Sequence, residues 1–164
     1  AAFYQAALGH RLKYSSGQWA GIDDCGGGTT LDAAEDAMLG LYCERADLRD
    51  GMSVMDLGCG WGSLTLWIAE HYPKCKILSV SNASGQREFI DAQCAKRGLG
   101  NVRVVTGDIN EVELVTKFDR VFSIEMFEIP DAMNRFSPSG GVWKPMPKQH
   151  TMTTPKWIGS MPTL

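Results

Sequence analysis

Three glycines spaced two apart follow a short apolar run that carries one acid. Val54-Met55-Asp56-Leu57 leads into Gly58-Cys59-Gly60-Trp61-Gly62. Glycine has no Cβ, so it reaches backbone angles that other residues avoid and lets a ligand lie against the main chain. The acid narrows the kind of ligand. A dinucleotide fingerprint spaces its glycines G-x-G-x-x-G. Here the spacing is G-x-G-x-G, and Asp56 stands two residues before the first glycine. A carboxylate there repels a pyrophosphate and tolerates an amine or a sulfonium. The turn therefore suits a cationic, phosphate-free nucleoside such as S-adenosylmethionine better than NAD. A glycine-rich turn with no ligand is the plain alternative. A strand, an acid, three spaced glycines and a helix occurring together weigh against it.

Three later stretches carry further candidates. Ser81-Asn82-Ala83-Ser84-Gly85-Gln86 ends a short apolar strand where a dinucleotide site would place an acid on the ribose. Neutral Ser, Asn and Gln groups can pair with ribose hydroxyls instead, more weakly than a charge-assisted bond. Ser84 reads equally as a helix N-cap, and Gln86 is the better ligand candidate. Gly107-Asp108-Ile109 ends the next strand; Asp108 could accept from an adenine amino group or cap the helix that follows. Glu125 and Glu128 lie three apart at the end of a fourth strand. They could flank an ammonium or hold an amine as its proton leaves, or serve as ordinary acids at a helix start.

The elements that must position these residues are readable from periodicity. Met52–Leu57 is a buried strand, the turn follows, and a helix runs from Ser63 to a stop at Tyr72-Pro73. Lys76–Val80 is a strand, Gln86–Arg97 a helix with Phe89, Ile90 and Cys94 inward, and Gly98 and Gly100 end it. Asn101–Thr106 and Phe118–Ile124 are strands three and four. Before them, 32–48 reads as a helix, with Asp32 and Glu35 as a capping box and Ala34, Met38, Leu41, Arg45 and Leu48 at helical spacing. Further upstream, Tyr14-Ser15 sits in a loop. Alternating strands and helices predict an α/β fold with a doubly wound parallel sheet. From Pro130 the periodicity disappears and six of the seven prolines follow, so the end of the chain reads as an irregular or disordered tail.

Bulk properties exclude several classes. The 164 residues suffice for one domain with a real core. A net charge of −3 favours neither nucleic acid nor an anionic membrane. No apolar run reaches the ~18 residues of a membrane span, and no cationic-then-apolar leader opens the chain. The first residue is Ala1, so an upstream segment is expected to be missing. The five cysteines, Cys25, Cys43, Cys59, Cys75 and Cys94, form no C-x-x-C pair and read as reduced structural thiols of a cytosolic protein. With three scattered histidines, no zinc spacing appears.

Residues 10–128 carry a closer resemblance. LKYSSGQW, LYCERADLRDGMSVMDLGCGWGSLTLWIAEHYPKCKI, VSNASGQREFIDAQC and FDRVFSIEMFE resemble the plant-type coclaurine N-methyltransferases, a branch of the group that includes cyclopropane-fatty-acid synthases. The resemblance implies S-adenosylmethionine as methyl donor and a Rossmann-like class I methyltransferase fold. It implies that Tyr14 and Ser15 close over the cofactor, that Asp56, Gly58, Gly60 and Gly62 form its methionine-side loop, that Ser81, Asn82 and Gln86 hold the ribose, and that Asp108 and Ile109 meet the adenine. Glu125 and Glu128 match the acidic pair near the acceptor amine. The pattern departs at Ile129, where the family places a histidine that helps take the amine proton. Four of the family's seven strands are readable, and the tail resembles an aberrant or divergent end.

The expected organisation is a closing segment at 1–50, a cofactor-binding core at 51–128 and an irregular tail at 129–164. The expected partner is a small-molecule amine, with no nucleic acid and no membrane span. An unpaired edge beside the fourth strand leaves room for an oligomer. Two rivals stand beside N-methylation: methylene transfer to an unsaturated acyl lipid, and a truncated fragment without turnover.

Overall fold

The structure is a computed structural model that describes residues 4, 7–19, 30–108 and 118–124. In chain order its regular elements are α1 (Leu31–Arg45), β1 (Ser53–Leu57), α2 (Ser63–His71), β2 (Lys76–Ser81), α3 (Ser84–Arg97), β3 (Val102–Thr106) and β4 (Arg120–Ser123). The four strands form one sheet in the order β3-β2-β1-β4, all parallel. Met55 and Leu57 of β1 stand opposite Leu78 and Val80 of β2, and opposite Val121 and Ser123 of β4. The chain thus moves outward from β1 through β2 to β3, then returns to the other side of β1. That reversal puts a topological switch point between β1 and β4. Open α/β sheets bind ligands in the crevice outside the strand ends at such a point.

The core explains why the central strands are nearly continuous apolar runs. Val54, Met55, Asp56 and Leu57 are all buried, as strands covered on both faces must be. One cluster joins Leu39 and Cys43 of α1, Val54, Ile77 and Phe122 of the sheet, and Leu64, Ile68 and Ala69 of α2. A second joins Leu66 of α2 with Ile90 and Cys94 of α3 and Val104 of β3. Helix α2 therefore serves both clusters. Cys43, Cys59, Cys75 and Cys94 are buried free thiols; burial pushes Cys43 up to about 12, which makes it a packing residue and not a nucleophile.

Two local expectations change. The cap of α1 is Thr30, whose hydroxyl accepts from the Ala33 N–H at 3.2 Å. Asp32 does not cap the helix, because it is drawn to the N-terminal segment, where it accepts the His10 backbone N–H at 3.1 Å. Glu35 does not reach back to the cap either; it is buried, and so are Ala34, Leu39 and Cys43 on the same helix. The inward stripe thus runs through Glu35, Leu39 and Cys43, while Met38 and Leu41 are only half-buried and Arg45 is exposed. Likewise Ala83, not Ser84, is the N-cap of α3, and no side chain caps that helix. Its other end follows expectation, with Gly98 in the left-handed conformation at φ 68°. The Gly26–Gly28 stretch and the tail from Pro130 lie outside the described residues.

Candidate functional site

The glycine turn lies at the carboxyl end of β1, beside the switch point. All three glycines take left-handed angles: φ is 75° at Gly58, 54° at Gly60 and 83° at Gly62. The spacing is therefore a conformational requirement. The turn is fastened to the neighbouring strand, since the Gly58 and Cys59 N–H groups both donate to the Val80 carbonyl, at 2.9 and 3.0 Å. It closes on itself through Gly62 N–H to the Cys59 carbonyl at 2.9 Å. Gly62 is also the N-cap of α2 and offers no side-chain cap, which leaves first-turn N–H groups of α2 without a side-chain partner there. Trp61 is braced edge-on by Phe89 at 5.4 Å between centroids, with Tyr4 at 5.5 Å on it as well.

Asp56 sits beneath the turn at 3 % exposure. The Thr65 hydroxyl donates to its Oδ2 at 2.6 Å, and the Ser79 hydroxyl lies 2.7 Å from Thr65 Oγ1. Thr65 has one proton and gives it to the carboxylate, so Ser79 must donate to Thr65. A buried chain Ser79–Thr65–Asp56 results, linking β2, α2 and β1. Burial pushes the Asp56 carboxyl up to about 6, against the opposing pull of the Thr65 hydrogen bonds.

The N-terminal segment lies down on this floor. Ser63 Oγ donates to the Arg11 carbonyl at 2.7 Å, and Gln18 N–H donates to the Ala34 carbonyl at 2.8 Å. The Arg11 guanidinium bridges Asp36 of α1 at 2.7 Å and Glu70 of α2 at 2.9 Å. Between these anchors the Tyr14 hydroxyl rests where a Cβ on Gly60 would be, 2.5 Å from that position. A cavity of about 50 Å³ remains between the segment and the turn, lined among others by Lys13, Tyr14, Ser15, Asp56, Gly58 and Ile124. The structure thus brings Tyr14, Ser15, Asp56 and Gly58 to one cavity, with Gly60 under Tyr14.

A second group gathers at the carboxyl ends of β2 and β3. Ser81 Oγ donates to Gln86 Oε1 at 2.6 Å and accepts the Ala83 N–H at 3.1 Å. Ser81 stands opposite Thr106 in register, and Gly107 N–H donates to the Ser81 carbonyl at 3.0 Å. That contact places Asp108 next to this corner. Ser81 is buried, while Asn82 and Asp108 are exposed. Ile109, Glu125 and Glu128 lie outside the described residues. Among the described residues no cluster of His, Cys, Asp and Glu could hold a metal ion, and no helix is long and apolar enough to cross a membrane.

Sequence reasoning missed three contributors. Thr65 and Ser79 each lie in an otherwise apolar run, and a buried alcohol there needs a partner; that was the available signal. Lys13 is 5 % exposed, and nothing in its neighbours' types marked it as buried.

Comparison with known proteins fits this geometry. The family model for mycolic acid cyclopropane synthetase matches residues 1–136. Pavine N-methyltransferase of Thalictrum flavum subsp. glaucum is 42% identical over 126 residues, covering 77% of this chain and 34% of that protein. The (S)-coclaurine N-methyltransferase of the same plant is 49% identical over 100 residues, covering 61% of this chain and 28% of that protein. A crystal structure of coclaurine N-methyltransferase bound to N-methylheliamine and SAH superposes with a TM-score of 0.71 at 44% identity, over 77% of this chain and 36% of that one. The chain thus spans about a third of the length of the curated relatives it matches.

Proposed function

The chain belongs to the mycolic acid cyclopropane synthetase family, and from that premise we propose that it carries the cofactor-binding portion of an S-adenosylmethionine-dependent N-methyltransferase acting on an alkaloid-type tetrahydroisoquinoline amine. Its described sheet has the Rossmann-like architecture of class I methyltransferases. The observation that carries the reading is the glycine turn at the β1/β4 switch point, floored by a buried acid and covered by Tyr14.

The residues fit the cofactor. At Gly60 the space a side chain would need lies under Tyr14, so a ligand that displaces that ring meets bare main chain, whereas at Gly62 the same space is filled by Ile90. Among the described residues, Thr106 Oγ1 and Ser123 Oγ are buried without a hydrogen-bond partner. They end β3 and β4, at opposite edges of the sheet but at the same carboxyl end of its strands, where a polar ligand lying across that end would satisfy them. Asp56 disfavours phosphate and favours the ligand's ammonium. Tyr14 is 55% exposed and lies over Gly60, so displacement of its ring would enlarge the small cavity.

When bound, S-adenosylmethionine supplies an electrophilic methyl group on sulfur. Asp56, Gly58, Gly60 and Gly62 would hold its methionine side, Ser81, Asn82 and Gln86 its ribose, and Asp108 and Ile109 its adenine. Tyr14 and Ser15 would exclude water above it. Glu125 and Glu128 would orient the acceptor amine and take its proton, so that the nitrogen lone pair is free to attack. On this reading residues 1–50 close the site, 51–128 build it, and the protein works in the cytoplasm.

The test combines titration calorimetry with SAH and methyl transfer from labelled S-adenosylmethionine to a tetrahydroisoquinoline. Binding with transfer to the amine is the expected result for a chain that carries the acceptor residues. Binding without transfer leaves a cofactor-binding piece, and absence of SAH binding sinks the reading. A second acceptor is favoured by the family model itself: an unsaturated acyl lipid, tested by offering phospholipid vesicles in place of the amine.

A further inference from the structure

Lys13 is the least expected buried residue of the described chain. Lysine is almost never fully buried unless paired, because taking its ammonium out of water is costly without compensation. Here it is 5 % exposed. Its Nζ donates to Ser15 Oγ and, at 2.6 Å, to the Ser16 carbonyl. It also stands over the Tyr42 ring of α1, 5.5 Å from the centroid, a favourable place for a desolvated cation. The preceding residue is unusual as well. Leu12 is buried and takes φ 53°, the left-handed region that strains a non-glycine residue. Strained backbone persists only where the surroundings over-determine it, and such sites cluster at ligand clamps.

These observations share one consequence. The two hydrogen bonds from Lys13 span Tyr14 and reach the backbone beyond it. They restrain the main chain on the far side of Tyr14, while Leu12 is fixed on the near side. The Tyr14 ring, tilted against Tyr4 at 6.5 Å between centroids, is thereby set over Gly60. We propose that Lys13 is a positioning residue, pinning the 14–16 strap so that Tyr14 closes on the glycine turn in one register. This rests on the cofactor reading above and deepens it, since it names what holds the cover in place.

The experiment uses the whole 164-residue chain as wild type, Lys13→Met and Lys13→Arg. Three quantities are measured: SAH affinity by calorimetry, thermal midpoint, and amide hydrogen exchange of residues 14–17 without ligand. Lys13→Met should weaken SAH binding about tenfold and speed exchange of the strap, with the thermal midpoint little changed. Lys13→Arg keeps the cation and its donors, and should recover most of the affinity and the slow exchange. Affinity within about twofold of wild type in Lys13→Met, with strap exchange unchanged, overturns the proposal. So does an affinity loss that merely tracks a fall in thermal midpoint, or one that Lys13→Arg fails to reduce. If wild type does not bind SAH, the cofactor reading fails, and strap exchange alone then decides the role of Lys13. If Lys13→Met does not fold, Lys13→Arg against wild type decides it: slow strap exchange and wild-type affinity are required.

Discussion

A carboxylate with one hydrogen-bonded oxygen, sealed beneath a glycine turn, should show itself in the pH dependence of stability. The Asp56 carboxyl lies at about 6 in the folded chain and near 3.9 when unfolded. Between these values the folded state holds a proton that the unfolded state has lost. The Asp56 contribution to stability is therefore greatest below pH ~4 and falls by about 3 kcal/mol as pH rises through 6. Asp56→Asn should flatten that slope, because the amide oxygen still accepts from Thr65 and never ionises; urea unfolding at pH 4.5 and 7.5 checks it. A slope unchanged in the variant would place the titration elsewhere, for instance at Glu35, whose carboxyl is also raised by burial and by nearby Asp32. At this scale the sequence showed the acid and the glycines, because their types are rare in a buried strand-to-helix turn. It did not show Thr65 and Ser79, whose partners come from other elements. It did not show the burial of Lys13, which depends on where Tyr42 lies.

Elements differ in how much they depend on a single backbone angle. Gly62 closes the turn and starts α2 at φ 83°, and a Cβ there would lie 2.7 Å from Ile90 Cγ1 of α3. Gly62→Ala combines left-handed strain with overpacking and should cost about 2–4 kcal/mol. Gly51 has a similar angle, φ 92°, with nothing within 4 Å. Gly51→Ala should cost only about 1–2 kcal/mol. Equilibrium urea unfolding of the pair separates strain from crowding, and equal losses would refute the packing argument. The strands and helices themselves were legible because period and punctuation agreed, as at Tyr72-Pro73 and Gly98. The start of α1 was not. A capping box needs Asp32 to be free for its own helix, whereas here His10 holds it. The stripe through Glu35, Leu39 and Cys43 was not legible for a related reason: Glu35 reads as part of the capping box, whereas it is buried.

For the molecule as a whole, α2 is the shared wall. Ile68 is fully buried in the cluster with α1 and β1, while Leu66, two residues earlier and so on the opposite face of the helix, belongs to the cluster with α3 and β3. Ile68→Ala and Leu66→Ala should each cost about 2–5 kcal/mol. Both should lower a single unfolding midpoint that tryptophan fluorescence and far-UV circular dichroism report alike. Two separated midpoints would mean that the clusters melt independently. The parallel sheet was predictable from alternating strands and helices. Its order was not, because nothing in the sequence says to which side of β1 the chain returns after β3. That return has a consequence for how the protein comes into being. Ser53 at the head of β1 meets Lys76 across one edge, and its N–H meets Asp119, 66 residues away, across the other. The wider closure costs only about 1 kcal/mol more in chain entropy, yet during synthesis its far end emerges long after β1–α2–β2 can pair. The crevice is bounded by the last of the described strands to arrive. A nascent chain would thus carry a finished glycine turn with an open side, and ligand present at that moment could favour the seam's closing as well as occupy the pocket it makes.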